Sequence, residues 1–427
     1  MVGQPRFISG FGLALVALAI APTAAGQDAA KQKPWRLEDA IDAPDWLKIS
    51  GSVRPRYESL GDTFYAGRTG SDELLSIQTL LKVEAGTGDF ALGGELLDSR
   101  RIAGNAGGGA AGEVNTLEPV QLYAVWRPKN FLMEGANLDL TAGRFTMDIG
   151  SRRLVARANY RNLLQAYDGV RAIWTTKDKL KVTAFHGSPT TRTPSDVPSA
   201  LDNEASVDRD LGNVKFSGVD LEAPIAYSIV GEFYVLDFNE DDDADAATRN
   251  RDFSTVGARL KIAPAKSAFD FDVEYAKQTG SVRATTSTAD VTNLDHDAHM
   301  LHAEAGYSFD APWSPRVALQ FDAASGDKSP ADLSSERFDP LFGDRAFEFG
   351  PTSIYGAIAR TNLSSPGVRL EVKPDGASDA YIMVRGLKLD APRDSFGNSG
   401  VRDASGASGD DVGVQIEGRY RRWLIQD

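Results

Sequence analysis

From Ile49 onward, apolar and polar residues alternate with a period of two in short stretches separated by Gly, Asp, Asn, Ser and Pro. Successive side chains on a strand point to opposite sides, so this pattern predicts β-strands with one apolar face each. Ile49, Gly51, Val53 and Tyr57 oppose Ser50, Ser52, Arg54, Arg56 and Glu58; Ile77, Thr79, Leu81 and Val83 oppose Gln78, Lys82 and Glu84. The alternation recurs around Leu138–Gly143, Val256–Ile262, Phe269–Tyr275, Leu301–Phe309, Val317–Asp322, Val368–Val372 and Val412–Tyr420. Helix-period patterns are scarce.

A soluble sandwich and a membrane barrel both alternate. Sandwich strands average only about 5–6 residues and turn their polar face to water, whereas tilted membrane strands run about 9–11 residues with the apolar face on lipid and charges on a wet lumen. The stretches here are close to the longer figure. Asp270, Asp272 and Glu274 share one strand face, and Tyr, Phe or Trp recurs near the ends of apolar faces. Residues 190–210, 239–252, 284–297, 327–349 and 390–411 are long, polar connections, while 175–178 is a tight turn. The expected fold is therefore all-β: a transmembrane antiparallel up-and-down β-barrel of about 16–18 strands.

The N-terminus has a different character. Arg6 is the only charge before an apolar run over 11–21, and Thr23-Ala24-Ala25-Gly26 supplies small residues for cleavage, so residues 1–26 read as a signal peptide. Residues 27–48 read as a periplasmic lead-in and 49–427 as the barrel. The chain ends at Trp423-Leu424-Ile425-Gln426-Asp427 rather than on a strand with a terminal aromatic, so a missing closing strand is expected. No later apolar run reaches the length of about 18 residues that a spanning helix needs.

Composition narrows the chemistry. The formal charge of −14 argues against nucleic acid as the main partner. With no Cys there is no disulfide, thiolate metal site or Cys nucleophile. His186, His296, His299 and His302 offer no metal-site spacing, and neither a metal nor a cofactor is expected. The acidic run 240–245 lacks the Gly and terminal Glu of a calcium loop. The Gly-rich 104–112 lacks the Lys-Ser/Thr of a phosphate cradle. The carboxylates of Asp270, Asp272 and Glu274 lie on one face rather than across a sugar, so no enzyme is expected.

The most unusual stretch is 144–171, where Arg144, Arg152, Arg153, Arg157, Arg161 and Arg171 face only Asp148 and Asp168. Arginine presents a planar donor fork that matches carboxylates and stays charged. Such a cluster in a wet pore suits an acidic polysaccharide. The alternative is that these arginines pair with acids in the lumen or with lipopolysaccharide phosphates at the rim.

The segments Gly94-Glu95-Leu96-Leu97-Asp98-Ser99-Arg100, Gly143 through Asn162 with Asp168-Gly169-Val170, Arg337-Phe338-Asp339-Pro340-Leu341-Phe342-Gly343 with Phe349-Gly350-Pro351, and the entry Trp46 to Glu58 resemble the alginate-export outer-membrane porin family. The resemblance implies a monomeric barrel of about 18 strands in the bacterial outer membrane, passing acidic polysaccharide without chemistry. It also implies that Arg144, Arg152, Arg153, Arg157 and Arg161 are pore residues. Arg171 and the polar-face Arg54, Arg56, Arg259 and Lys261 join them as candidates by strand parity. Periplasmic export machinery is an expected partner.

Two features point elsewhere. The bases on the polar faces (including Lys82, Lys181, Arg316, Arg369 and Arg419) are nearly matched in number by acids (including Glu58, Glu84, Glu95, Asp139, Glu304, Asp322, Glu371 and Glu417), so the expected lumen is balanced. That favours a porin for small anions or sugars, and a soluble exported polysaccharide-binding β-protein is the third reading. Arg144 also shares the parity of Leu138 and Leu140, which places it beyond the lipid band or after a bulge.

Overall fold

The computed structural model describes residues 40–105, 111–242, 247–350 and 356–424. The expected signal peptide, most of the lead-in, parts of the 104–112 and 240–245 runs, Pro351 and the last three residues lie outside the described residues. The chain runs β1 (Leu47–Leu60), β2 (Asp72–Thr87), β3 (Phe90–Gly104), β4 (Asn115–Trp126), β5 (Asn137–Phe145), β6 (Tyr167–Thr175), β7 (Lys181–Thr191), a short helix α1 (Val197–Leu201), β8 (Arg209–Asp210), β9 (Val214–Ala226) and β10 (Ile229–Glu240). It continues through β11 (Asp252–Ile262), β12 (Ala268–Val282), β13 (Leu294–Ser308), β14 (Arg316–Ala324), β15 (Ser334–Ser335), β16 (Leu363–Asp375), β17 (Ser378–Lys388) and β18 (Asp411–Arg422).

These form one 18-stranded up-and-down sheet. The strands of the wall are 9 to 16 residues long, each antiparallel to the next. β8 and β15 are two-residue ladders above it, on β7 and β13. Among the described residues no ladder joins β18 to β1.

Parity sorts the side chains as the alternation requires. Val53, Leu81, Leu122, Val256, Leu319, Val368 and Ile416 are exposed on the outside, whereas Gln78, Glu95, Glu274, Gln320 and Asp322 are buried on the inside. In water this would be inverted, but an apolar exterior over a polar interior is what hydrocarbon surroundings demand of a barrel. Aromatic residues collect at the end where connections are short. Phe90 stacks on Trp126 with ring centroids 6.2 Å apart, and Tyr307 lies 4.7 Å from Phe269 and 4.8 Å from Phe309. With exposed Trp46, Tyr227 and Trp313 they form the interfacial belt of the tight-turn side.

The opposite end carries the longest connections, whereas the ten-residue 127–136 lies at the tight-turn end. Residues 61–71, which the alternation did not mark as a long loop, also lie at that opposite end.

The lipid-facing assignment has a direct test. Leu319, flanked on the same face by Val317 and Phe321, lies several residues from the nearest turn. Leu319→Arg is expected to destabilise the barrel by about 2–4 kcal/mol, measured by urea unfolding in lipid vesicles, while Leu319→Phe stays close to wild type.

Candidate functional site

Two long connections do not stay outside. The apolar residues Met147, Ile149, Leu154 and Val155 of the β5–β6 loop, and Phe338 and Phe342 of the β14–β16 loop, pack against Phe185, Phe216, Phe238 and Phe253 on the inner wall. Phe342 inserts its ring among Tyr167, Phe216 and Phe238 at centroid distances of 5.6, 5.1 and 5.7 Å. The apolar surface thus removed from water draws both loops into the lumen. There they are joined by backbone: Ala156 N–H donates to the Phe342 carbonyl (3.1 Å) and Phe342 N–H to that of Leu154 (3.0 Å). Gly150, at φ +52°, lets its loop lie against Glu232, where any Cβ would fall 1.6 Å from the carboxylate.

Arg153 is the centre of the polar packing. Its guanidinium is 2.6 Å from Glu274 on β12, 2.6 Å from Glu348 of the partner loop and 3.3 Å from Asp272. Burial opposes its charge, but Glu274 and Asp272 more than offset this and hold its pKa above the ordinary value. Arg259 shares Asp272 at 2.6 Å, Arg360 pairs with Glu348, and His302 meets Asp322 at 2.8 Å. His302, Asp322 and Glu348 bring ligand atoms within 4.8 Å of one another. Donors from Arg153, Arg360 and Gln320 already engage those carboxylates, so the donor set fits an ion-pair network rather than a metal centre.

The β5–β6 loop is also tied to the first strands. Arg54 donates to the carbonyls of Asn159 and Arg161, both at 2.7 Å, Arg56 to that of Tyr160, and Gln78 to that of Asn162 at 2.8 Å. Arg157 meets Glu95 at 2.7 Å. Gln78, Ser99, Tyr167, Gln278, Asp322 and Arg385, drawn from all sectors of the wall, are each at most 3% exposed at this level. The docked loops therefore fill the middle of the lumen.

Polar cavities lie beside the docked loops, two of them on opposite sides. One of about 390 Å³ opens toward the tight turns and is lined by Lys266, Arg316, Glu371, Asp379, Tyr381 and Arg419. Its charges are largely paired: Arg316 with Asp270 and Glu304, Arg419 with Asp379 at 2.9 Å. The other, about 340 Å³, lies toward the long loops and is lined by Tyr65, Arg68, Glu113, Arg161, Arg345 and Asn398, with Arg153 and Arg360 in its floor. Here bases outnumber acids. Glu113 is already engaged by Arg56 at 3.0 Å. No carboxylate among the described residues pairs with Arg68 or Arg161. Burial, together with the neighbouring Arg161, pulls the pKa of Arg345 down.

The sequence matches the alginate export family over residues 45–427, nearly the whole chain. The chain belongs to the alginate export family. A search of curated proteins gives no match. Among solved structures, OccD3 (OpdP) of Pseudomonas aeruginosa superposes with a TM-score of 0.53 at 12% identity, covering 86% of this chain and 78% of that one. OpdK of the same organism, solved with vanillate, gives 0.52 at 13% identity over 82% and 85%. OmpF of Salmonella typhi, in complex with daunomycin, gives 0.50 at 12% identity over 88% and 97%. At such identities the likeness concerns the fold, an outer-membrane porin barrel. This member of the alginate export family is thus a bacterial outer-membrane channel.

The expected arginine cluster does not form one site. Arg144 sits opposite Leu122 and Asp168 on the outer face, paired with Glu118 (2.7 Å) and Asp168 (2.8 Å) at the loop end of its strand. Its assignment as a pore residue is corrected: no bulge in β5 reverses its parity, so the side chain leaves the lumen. Arg54, Arg56 and Arg157 hold the loop, and Arg153 and Arg259 form the buried network. Arg171 lies over Phe145 at 5.3 Å, Lys261 pairs with Glu222 at 3.0 Å, and exposed Arg152 lies over Phe347 at 4.9 Å. Of the expected residues, Arg153 and Arg161 line the basic cavity. Arg68, Arg345 and Arg360 were missed, since they come from loops without periodicity; the Arg337–Gly343 segment was the nearest signal.

Two predictions follow from this packing. Arg153→Met removes the closest counter-charge of buried Glu274 and leaves Glu348 to Arg360 alone, and is expected to cost about 3–5 kcal/mol, read as earlier urea unfolding and faster amide exchange over 146–166. At the base of the β14–β16 loop, burial and the neighbouring Asp394, Glu336 and Asp332 push Asp327 up to about 6. A carboxyl whose folded pKa is raised contributes stability that is full below its ordinary value of 3.8 and lost as pH rises through about 6. Protection factors in this loop, corrected for the intrinsic pH dependence of amide exchange, should therefore be higher at pH 5 than at pH 7.5, and Asp327→Asn should remove the difference.

Proposed function

We propose that this outer-membrane channel conducts acidic solutes by diffusion, admitting them through the arginine-lined cavity above the docked loops and performing no chemistry on them. The observation that carries this reading is the local excess of guanidinium in a chain that is otherwise acidic. A low-dielectric wall focuses such a field and raises the local concentration of anions. Uronate sugars fit the donors, since each carboxylate accepts a planar fork and each hydroxyl suits an amide such as that of Asn398. The driving force is the solute gradient alone.

A second reading, favoured by the family match, is passage of a long alginate-like polymer handed over by periplasmic machinery. It requires the β5–β6 and β14–β16 loops to withdraw from the lumen together, because their backbones are bonded to each other.

Anion preference should reside in the cavity rather than in the paired arginines. In planar bilayers with a KCl gradient, the double variant Arg68→Glu/Arg161→Glu is expected to move the reversal potential toward that of potassium. Arg171→Gln, at the wall below, should leave it nearly unchanged.

A further inference from the structure

We infer that the outer wall of β2–β5 binds one glycerophospholipid with a zwitterionic headgroup, taken from the periplasmic leaflet. The inference concerns the lipid-facing side of the wall and is independent of what the lumen passes.

Three observations support it. First, the wall is concave there. The register sets Ala124 beside Ala142 on the outer face, and Phe90, Trp126 and Leu140 side by side one row nearer the turns. With Trp46 they border a groove of about 670 Å³, within the range of about 300–1,000 Å³ that small-molecule sites span. In hydrocarbon such a surface gains nothing by excluding water, but it gains dispersion contacts with an acyl chain that fits it. Second, a polar pocket of about 160 Å³ adjoins the groove, sharing Trp46, Gly86, Phe90 and Ala91 with it. Asp45, Lys48 and Asp89 line this pocket, and none of the three is in an ion pair among the described residues. Its Arg127 is already taken by Glu84 and Asp139, at 2.6 and 2.9 Å. One free cation beside two free acids complements a head that carries both a phosphate and an ammonium, whereas a head with phosphate alone would face uncompensated acids. Third, the levels agree. Asp89 lies in the short turn between β2 and β3, at the end of the barrel that faces the periplasm, where glycerophospholipids form the leaflet. The polar pocket is thus at headgroup height, and the groove runs from it into the hydrocarbon.

The test uses the full chain, delipidated in detergent, and native mass spectrometry with phosphatidylethanolamine, phosphatidylglycerol and lipid A as probes. One phosphatidylethanolamine should stay bound per barrel, and phosphatidylglycerol, which lacks the ammonium, should bind about tenfold more weakly, the loss of one charge-assisted hydrogen bond. Lys48→Gln should weaken phosphatidylethanolamine about tenfold for the same reason. Ala124→Phe, which fills the groove, should remove the adduct, whereas Val368→Phe, on the exposed outer face of β16, should leave it unchanged. Retained heat-modifiable mobility on SDS gels shows that each variant is folded. Equal retention of the three lipids would overturn the inference, as would an adduct unchanged in folded Lys48→Gln and Ala124→Phe. A two-chain assembly that Ala124→Phe dissociates would overturn it by assigning the groove to a second copy. None of these outcomes bears on KCl conductance, so the channel reading is judged separately.

Discussion

The insertion of Arg153 among Glu274, Asp272 and Glu348 joins three parts of the molecule through one side chain: the barrel wall, the β5–β6 loop and the β14–β16 loop. Burying Arg153, Glu274 and Glu348 carries a large desolvation cost, recovered only when each is paired in good geometry. Neighbouring Arg259 and Arg360 provide that pairing for the remaining carboxylate oxygens. The two cavities exist as separate spaces because this contact keeps the loops inside.

Hydrophobic packing and ion pairing have distinct tasks here. Phe342 and its aromatic neighbours supply a non-directional pull that brings the loops inward. The charged network and the backbone bonds at Phe342 then fix where the loops stop. Arginine's fork allows one side chain to bridge several acids, as Arg316 does between Asp270 and Glu304. The result is a wall whose acids and bases mostly cancel and a cavity where they do not.

The wall was legible in the sequence because lipid on one side and a polar filling on the other impose the same two-residue period on strand after strand. Val256–Ile262 and Phe269–Tyr275 show it without interruption. The interior was less so. On β10 the inward Tyr234, Leu236 and Phe238 stand beside the outward Phe233 and Val235, so both faces are apolar and parity carries no signal there. Arg144 through Arg171 looked like one constellation because its members are contiguous, yet a strand and a folded loop send neighbours to opposite sides of the wall. Arg68, Arg161 and Arg345 meet only through tertiary structure, and their spacing along the chain holds no trace of that meeting.

The loop ties bear on how the molecule assembles. Arg54 finds its carbonyl partner 105 residues downstream, and Gly356 meets Tyr65 across 291 residues. Contacts of such sequence separation form late, since the entropy of closing so long a chain must be met before they contribute. Local hairpins of the wall have no such delay. The ties across the lumen thus carry the larger closure entropy of the fold, and the hairpins of the wall the smaller.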